Sequence, residues 1–358
     1  MSRKKNPNRG ASLTDVAARA GVSIATASRV LGSSDYAVSP KLRKAVLEAA
    51  HDLSYYPSPA QLHMPVLTNP ILGVIVPTLQ NPFFNQVILG VENAASRYGF
   101  RVMICSSHRS VEEERNSINS LLRSGINALI IISIDTEKET LQNYISCGGK
   151  VALLESNFSL PGTIMTRTDY LSAGKLAADH LISYGHKNIA FFTSPLTKTY
   201  RRGILLGIRN TMKEARLPFP DQNVFVAGEE LETDPGLYEF EMGKHLVETF
   251  LRKKHDKITA IIAINDLTAF GIMQALTRHG LSVPKDISVI SFDNLPYSGM
   301  IFPPLTTVDL PSDSLGLTAA TMLIDTLTGR MESSAGITFE FQGKLIDRES
   351  VRHIHSLS

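Results

Sequence analysis

From Ile71 to about residue 293, short apolar runs alternate with stretches of helical period. ILGVIVP, RVMICSS, ALIIISI and KVALLES are separated by helices predicted near 83–98, 112–124 and 137–147. A second series, NIAFFTS, NVFVAG, AIIAIND and ISVISFD, is interleaved with helices near 171–184, 201–216, 236–254 and 267–279. Strands joined through helices run parallel, because a parallel pair needs a long crossover that no hairpin supplies. Most of these runs are apolar without strict alternation, as expected where helices cover both faces of a sheet. The predicted class is therefore α/β with parallel sheets, and two series predict two lobes.

The segment before this body reads differently. From Ser12 to Val22 the chain is SLTDVAARAGV, with Leu13, Val16, Ala17 and Ala20 on one helical face and Ser12 with Asp15 placed as N-cap and third-position acid. Gly21 stops this helix and can turn the corner in a left-handed conformation. Ser23 caps a second short helix, IATASRVL, whose Ala27, Val30 and Leu31 can pack back on the first. Ser39 and Pro40 open a third, which offers Leu42, Val46, Ala49 and Leu53 as a lid. The N-terminal unit is thus predicted to be an all-α helix-turn-helix headpiece.

Charge points the headpiece towards a polyanion. Residues 1–63 hold 9 Lys and Arg against 4 Asp and Glu, or +5, which leaves 27 against 30, or −3, for the remainder. Hydroxyls suit phosphates, small apolar side chains can meet a thymine methyl, and an arginine can bridge guanine O6 and N7. Arg29 is accordingly expected on base edges, Ser12, Ser23, Thr26 and Ser28 on phosphates, and Ile24 and Ala25 in apolar base contact. Leu13 and Thr14 complete the expected DNA-binding set on this unit.

The stretches DVAARAGVSIATASRVL and VSPKLRKAVLEAAHDLSYYP resemble the headpiece of the lac repressor family. The similarity continues through GVIVPTLQNPFF, HLISYGHKNIAFF, AINDLTAFG, VPKDISVISFDN, PPLTTV and LIDRES, from Ser12 to Ser350. The resemblance implies a basic arm (1–11), the headpiece (12–56), a hinge or linker (57–70), and an effector-binding and dimerisation domain (71–350), followed by a tail (351–358). That domain would be periplasmic-binding-protein-like, with three crossovers between lobes near 164–167, 308–311 and 329–337. Lobe 1 would take about 71–165 and 311–328, and lobe 2 about 166–308 and 337–350. The implied function is a sequence-specific repressor that binds a palindromic operator in double-stranded DNA as a homodimer, under control of a small effector, a sugar or sugar derivative. Family members fold a hinge helix that wedges a leucine into the minor groove; here Met64 stands at that place. Pro65 disfavours helical geometry at Met64, so a plain linker without groove contact stays open as the alternative.

Ligands in open parallel sheets bind beyond the carboxyl ends of the strands. The polar and aromatic residues there are Asn81 with Phe83 and Phe84, Ser106, Ser107, Glu155, Asn265, Asp266 and Asp293. Asn81, Phe83, Phe84, Ser106, Glu155, Asn265 and Asp293 form the candidate effector set. Asn81 and Asp266 read equally well as caps of the helices that follow them. Asp293 is favoured by the resemblance, in which the acid of the FDN segment contacts the effector. Where the family often places an arginine for polar effectors, three residues before Gly207, this chain has Ile204, with Arg201 and Arg202 nearby out of alignment.

Other classes find little support. No P-loop spacing follows a strand, Gly148-Gly149-Lys150 lacks the upstream glycine, and neither GxSxG nor HExxH occurs, so no enzyme, catalytic residue, cofactor or metal is expected. Cys105 and Cys147 cannot build a disulfide framework. No run of 18 apolar residues is present, and the basic start has no apolar stretch after it, so no membrane association and a cytoplasmic location are expected. The last predicted strand is followed by no heptad segment, so a dimer rather than a coiled-coil tetramer is expected.

Overall fold

The structure, a computed structural model, describes residues 12–31, 38–53, 55, 70–228, 238–252, 258–331 and 336–354. The basic arm 1–11, Met64 and nearly all of the linker 57–70 lie outside the described residues.

Three helices build the headpiece: α1 (Leu13–Ala20), α2 (Ile24–Leu31) and α3 (Pro40–Asp52). Ser12 and Asp15 close a capping box, each satisfying the other's backbone N–H, and Gly21 turns the corner at φ 66°. Val16, Ala17, Ala27, Val30, Val46, Ala49, Ala50 and Tyr55 make a small closed core. An Arg19–Asp52 ion pair ties α1 to the end of α3 at the surface.

The first sheet of the body is parallel throughout, in the order β11 (Ile337–Phe341), β5 (Ile164–Thr168), β4 (Lys150–Leu154), β3 (Ala128–Ile131), β1 (Ile71–Val76), β2 (Arg101–Ser106). Side chains alternate across a strand, so β1 feeds two cores. Leu72, Val74 and Val76 face α4 (Pro82–Arg97) and α11 (Ser312–Leu327), whereas Ile75 joins Ile118 and Leu121 of α5 (Val111–Arg123) and Leu141 and Tyr144 of α6 (Glu139–Ser146). The second sheet runs β12 (Lys344–Ile346), β10 (Thr306–Asp309), β9 (Ser288–Asp293), β8 (Ala260–Ala263), β6 (Ile189–Thr193), β7 (Val224–Val226), with only β12 antiparallel among the described strands. Two helix pairs, α7 (Tyr170–Ser183) with α8 (Thr199–Glu214) and α9 (Tyr238–Arg252) with α10 (Asp266–Arg278), pack on it.

The chain passes between lobes after β5, after β10 and after β11. The third passage corrects the expected position near 329–337. Residues 337–341, assigned above to lobe 2, pair with β5 and belong to lobe 1, and the crossing falls at 341–344. ITFEF gives little away, because it is an edge strand with alternating half-buried and exposed positions. The expected tail is also partly built in: Val351 is buried, His353 stacks on Tyr184 at 3.8 Å, and Ile354 N–H donates to the Tyr184 carbonyl.

Glycine sets how closely the helices approach. In α4–α11, α7–α8 and α9–α10, each helix presents a glycine (Gly90 and Gly316, Gly174 and Gly207, Gly243 and Gly271) against the partner's backbone carbonyl. A Cβ at any of the six would intrude on that carbonyl, so these crossings depend on glycine for steric reasons.

Candidate functional site

Two surfaces carry the candidate residues. On the headpiece, Thr14, Ser23, Ala25, Ser28 and Arg29 are exposed, and Ile24 is 51% exposed although apolar. Ile24, at the start of a short helix, is not among the residues of the headpiece core. Ser23 Oγ accepts from Thr26 N–H at 3.1 Å and shares a 2.8 Å bond with Thr26 Oγ1, so these two hydroxyls fix the N-terminus of α2. Ser12 Oγ is engaged by Asp15 at 2.6 Å. Leu13 is half-buried against the headpiece core, which leaves part of its side chain at the surface.

In the body, a cavity of 320 Å³ opens where strand ends of both lobes meet. Asn81, Phe83, Phe84 and Glu155 line it from lobe 1, and Asn265 and Asp293 from lobe 2. Ser106, the last residue of β2, is not among the lining residues; its Oγ accepts from His108 N–H at 3.2 Å. Phe83 and Phe84 meet edge to face at 5.5 Å. Both Asn81 and Asn265 act as N-caps, accepting from Phe83 N–H at 3.0 Å and Thr268 N–H at 2.9 Å, and still border the cavity. The cap and the lining roles therefore coexist.

The acids divide by their partners. Asp266 is fully buried and accepts from Thr307 Oγ1 and Leu295 N–H, both at 2.7 Å, and from the hydroxyls of Ser291 and Ser298. It is a satisfied scaffold group that ties α10 to the loop after β9. Asp293, at the end of β9, has no hydrogen bond to its carboxyl group among the described residues, and its backbone is held at φ 109°. Burial, then the charges of Asp266 and Glu239, push its pKa well above the ordinary carboxylate range. A strained, unsatisfied acid facing a cavity is poised for donors from a ligand. Asn294, at φ 52°, is held by Arg348 at 2.7 Å and reaches Asp309 at 3.2 Å, which anchors the turn across β10. Glu155, at φ 52°, accepts from Thr168 Oγ1 at 2.7 Å and Thr168 N–H at 3.1 Å, and burial raises its pKa to about 7 despite those bonds.

Arg109, Tyr170, Lys198, Tyr200 and Glu239 also line the cavity and carried no signal in the sequence; Arg201, which the sequence placed nearby but out of alignment, lines it as well. Arg201 lies one helical turn before Ile204, hence on the same face of α8. It is 3% exposed, with Nε donating to Tyr200 Oη at 2.9 Å and Nη1 to the Pro195 carbonyl at 2.8 Å. The cavity wall thus has a guanidinium after all, displaced by three residues; a three-residue spacing on a helix was the available signal. Among the described residues, no group of His, Cys, Asp and Glu could hold a metal, and no helix is long and apolar enough to cross a membrane.

Comparison with known proteins agrees over both parts. The pattern of "Bacterial regulatory proteins, lacI family" matches residues 12–58, and that of "Periplasmic binding proteins and sugar binding domain of LacI family" matches 69–344. The HTH-type transcriptional repressor PurR of Pasteurella multocida (strain Pm70) is 30% identical over 354 residues, covering 96% of this chain and 99% of its own length. A transcriptional regulator CelR–cellobiose complex superposes with a TM-score of 0.70 at 24% identity, covering 95% of this chain and 99% of that one. The lac repressor dimer bound to operator and the anti-inducer ONPF superposes with a TM-score of 0.67 at 24% identity, covering 96% and 100%. At these identities the two structures establish a shared fold.

Proposed function

The chain belongs to the lac repressor family of bacterial regulatory proteins, and from that premise we propose that it binds a palindromic operator as a homodimer and responds to a sugar or sugar derivative held between its lobes. It is a sequence-specific DNA-binding transcription repressor under small-molecule control, not an enzyme, and the proposal concerns how it does this. The observation that carries the effector reading is Asp293, whose carboxyl group, on a backbone at φ 109°, has no donor among the described residues in a cavity shared by both lobes. Hydroxyls of a sugar would donate to Asp293, while the Phe83–Phe84 edge would cover an apolar ring face. Asn265 and Glu155 stand beside them with further acceptors. The CelR complex, similar in fold, holds cellobiose, which is in keeping with this class.

The homodimer is supported by apolar side chains left bare on both lobes. Phe302 is 93% and Met300 77% exposed on lobe 2, and Leu89, Met103 and Ile104 are exposed on α4 and β2 of lobe 1. A second copy would cover them, and two-fold symmetry would pair two headpieces with two half-sites. The lac repressor structure of the same fold is a dimer on operator. On each headpiece Arg29 would read a base edge, with Ile24 and Ala25 beside it, and the N-termini of α1 and α2 with Ser12, Ser23, Thr26 and Ser28 would meet phosphates. The protein would act in the cytoplasm.

Selection of bound duplexes by the purified chain from random DNA tests the first half. An inverted repeat is expected, and a recovered site without inverted symmetry sinks the dimeric reading. Retardation of that duplex with ribose, glucose and cellobiose tests the second half. If none of these, nor their phosphates or acids, changes DNA binding or raises the melting temperature, the effector is not a sugar.

A further inference from the structure

Glu239 lies in the first turn of α9 in lobe 2 and is buried, yet among the described residues the two groups bonded to its carboxylate come from lobe 1. Asn81 Nδ2 donates to Glu239 Oε1 at 3.2 Å, and Arg109 Nη2 forms an ion pair with the same oxygen. Side-chain exposure is 15% for Arg109 and 9% for Glu239, so the pair is largely withdrawn from water.

Each lobe-1 donor is aimed before the contact forms. Asn81 Oδ1 is taken by Phe83 N–H, which leaves its amide nitrogen pointing across the cleft. Arg109 sits in a loop with left-handed backbone at His108 and Arg109, pinned by Arg109 N–H donating to the Pro77 carbonyl at 2.9 Å. Its guanidinium also lies 5.6 Å from the ring centre of Tyr238, the residue before Glu239. One side of the cleft therefore holds two fixed donors, an amide and a guanidinium, and the other a carboxylate and an aromatic face. Opening the lobes would separate all of these partners at once.

We propose that Glu239, Arg109 and Asn81 form a latch that holds the two lobes closed with no effector bound. The closed form is then the resting form, and a small molecule reaches Asp293 by way of a transient open state. Only this last consequence rests on reading the cavity as the effector site; the latch itself does not. A buried ion pair resists screening by salt, so closure should survive ionic strengths that abolish surface pairs. Removing Arg109 leaves the buried Glu239 carboxylate without its ion-pair partner, and removing Glu239 takes from Asn81 and Arg109 their shared acceptor across the cleft, so either change favours the open cleft.

The test is the distance across the cleft in the ligand-free full chain. Spin labels at Thr136→Cys and Thr197→Cys, exposed positions on lobe 1 and lobe 2, are placed in a Cys105→Ala, Cys147→Ala background. With the labelled chain diluted into excess unlabelled chain, so that only the pair within one protomer is read, a single short distance population is expected, unchanged on raising salt to molar levels. Glu239→Ala and Arg109→Ala, altered on opposite lobes, should both shift the population to longer distances and to the same final value. Glu239→Gln removes only the charge and should give an intermediate mixture; it also serves should an alanine variant fail to fold by circular dichroism. Distances that stay short in Arg109→Ala and in Glu239→Gln overturn the latch. That result would leave operator and sugar binding untouched, whereas failure of the sugar reading would leave the ligand-free distances unchanged, so the two failures are distinguishable.

Discussion

Asp266 and Asp293 lie in one acidic neighbourhood, and their substitution should move stability in opposite directions. Asp266 Oδ1 accepts from Ser291 and Thr307, and Oδ2 from Ser298 and Leu295 N–H. In Asp266→Ala these four donors lose their acceptor at a site closed to water; stranding each costs about 1 kcal/mol or more, and relief of the buried charge, whose pKa desolvation also raises, offsets part of this, so a loss of about 3–4 kcal/mol is expected. For a domain of this size that is a fall in Tm of roughly 10 °C. Asp293 loses no hydrogen bond to its carboxyl group among the described residues when changed to Asn, and the change removes a charge that folding opposes. Its folded pKa is raised, so its contribution to stability is fully present below the unfolded value of about 3.8 and is lost as pH rises through the folded value. Asp293→Asn should therefore be neutral near pH 4 and increasingly stabilising relative to the parent towards pH 8. The chain has no tryptophan, so urea melts followed by far-ultraviolet circular dichroism at several pH values are the suitable assay. In parallel, the duplex-retardation response to sugar should vanish in Asp293→Asn with ligand-free operator affinity intact. Should Asp293→Asn destabilise as much as Asp266→Ala, Asp293 is scaffold and the reasoning about its poised carboxyl group fails. A near-neutral Asp266→Ala would refute the bond accounting.

Three further outcomes are expected. His186 is buried between Thr259 Oγ1 and the Arg352 carbonyl, and desolvation lowers its pKa from 6.5 to about 4. The neutral ring's stability is thus present above about pH 6.5 and lost as pH falls towards 4, worth about 3 kcal/mol at most; urea melts of His186→Gln should show a correspondingly flatter acid limb. Gly271→Ala should destabilise by about 1–2 kcal/mol in the same melts, because overpacking against the Phe240 carbonyl outweighs a helix-propensity gain of about 1 kcal/mol; a more stable variant would show that α9 and α10 can separate freely. Arg29→Ala should weaken the selected operator by about 1–3 kcal/mol and relax preference at one base pair, and an equal loss on random DNA in competition binding would reduce Arg29 to a phosphate contact.

Local pattern made much of this protein legible. The Ser12–Asp15 box, Gly21, the runs ILGVIV and AIIA, and the helices between them depend on neighbours a few residues away, and their periods and caps are written in order along the chain. Even Asp293 and Asn265 could be nominated, because the ends of parallel strands face one way. What depended on packing could not be read so directly. ITFEF has the period of a strand, but only its register with Ile164–Thr168 assigns it to lobe 1. Asn81 reads as a cap and is one, yet its other end meets a carboxylate 158 positions away, and Arg109 meets the same group across 130. Arg201 reads in the sequence as one of two arginines out of alignment, and only the packing of α8 turns it inward beside Tyr200. Helix and strand are decided by short-range sterics and hydrogen bonds, which sequence order preserves. Which charges share a cleft is decided by how two separately folded lobes close on one another, and that proximity exists only in three dimensions.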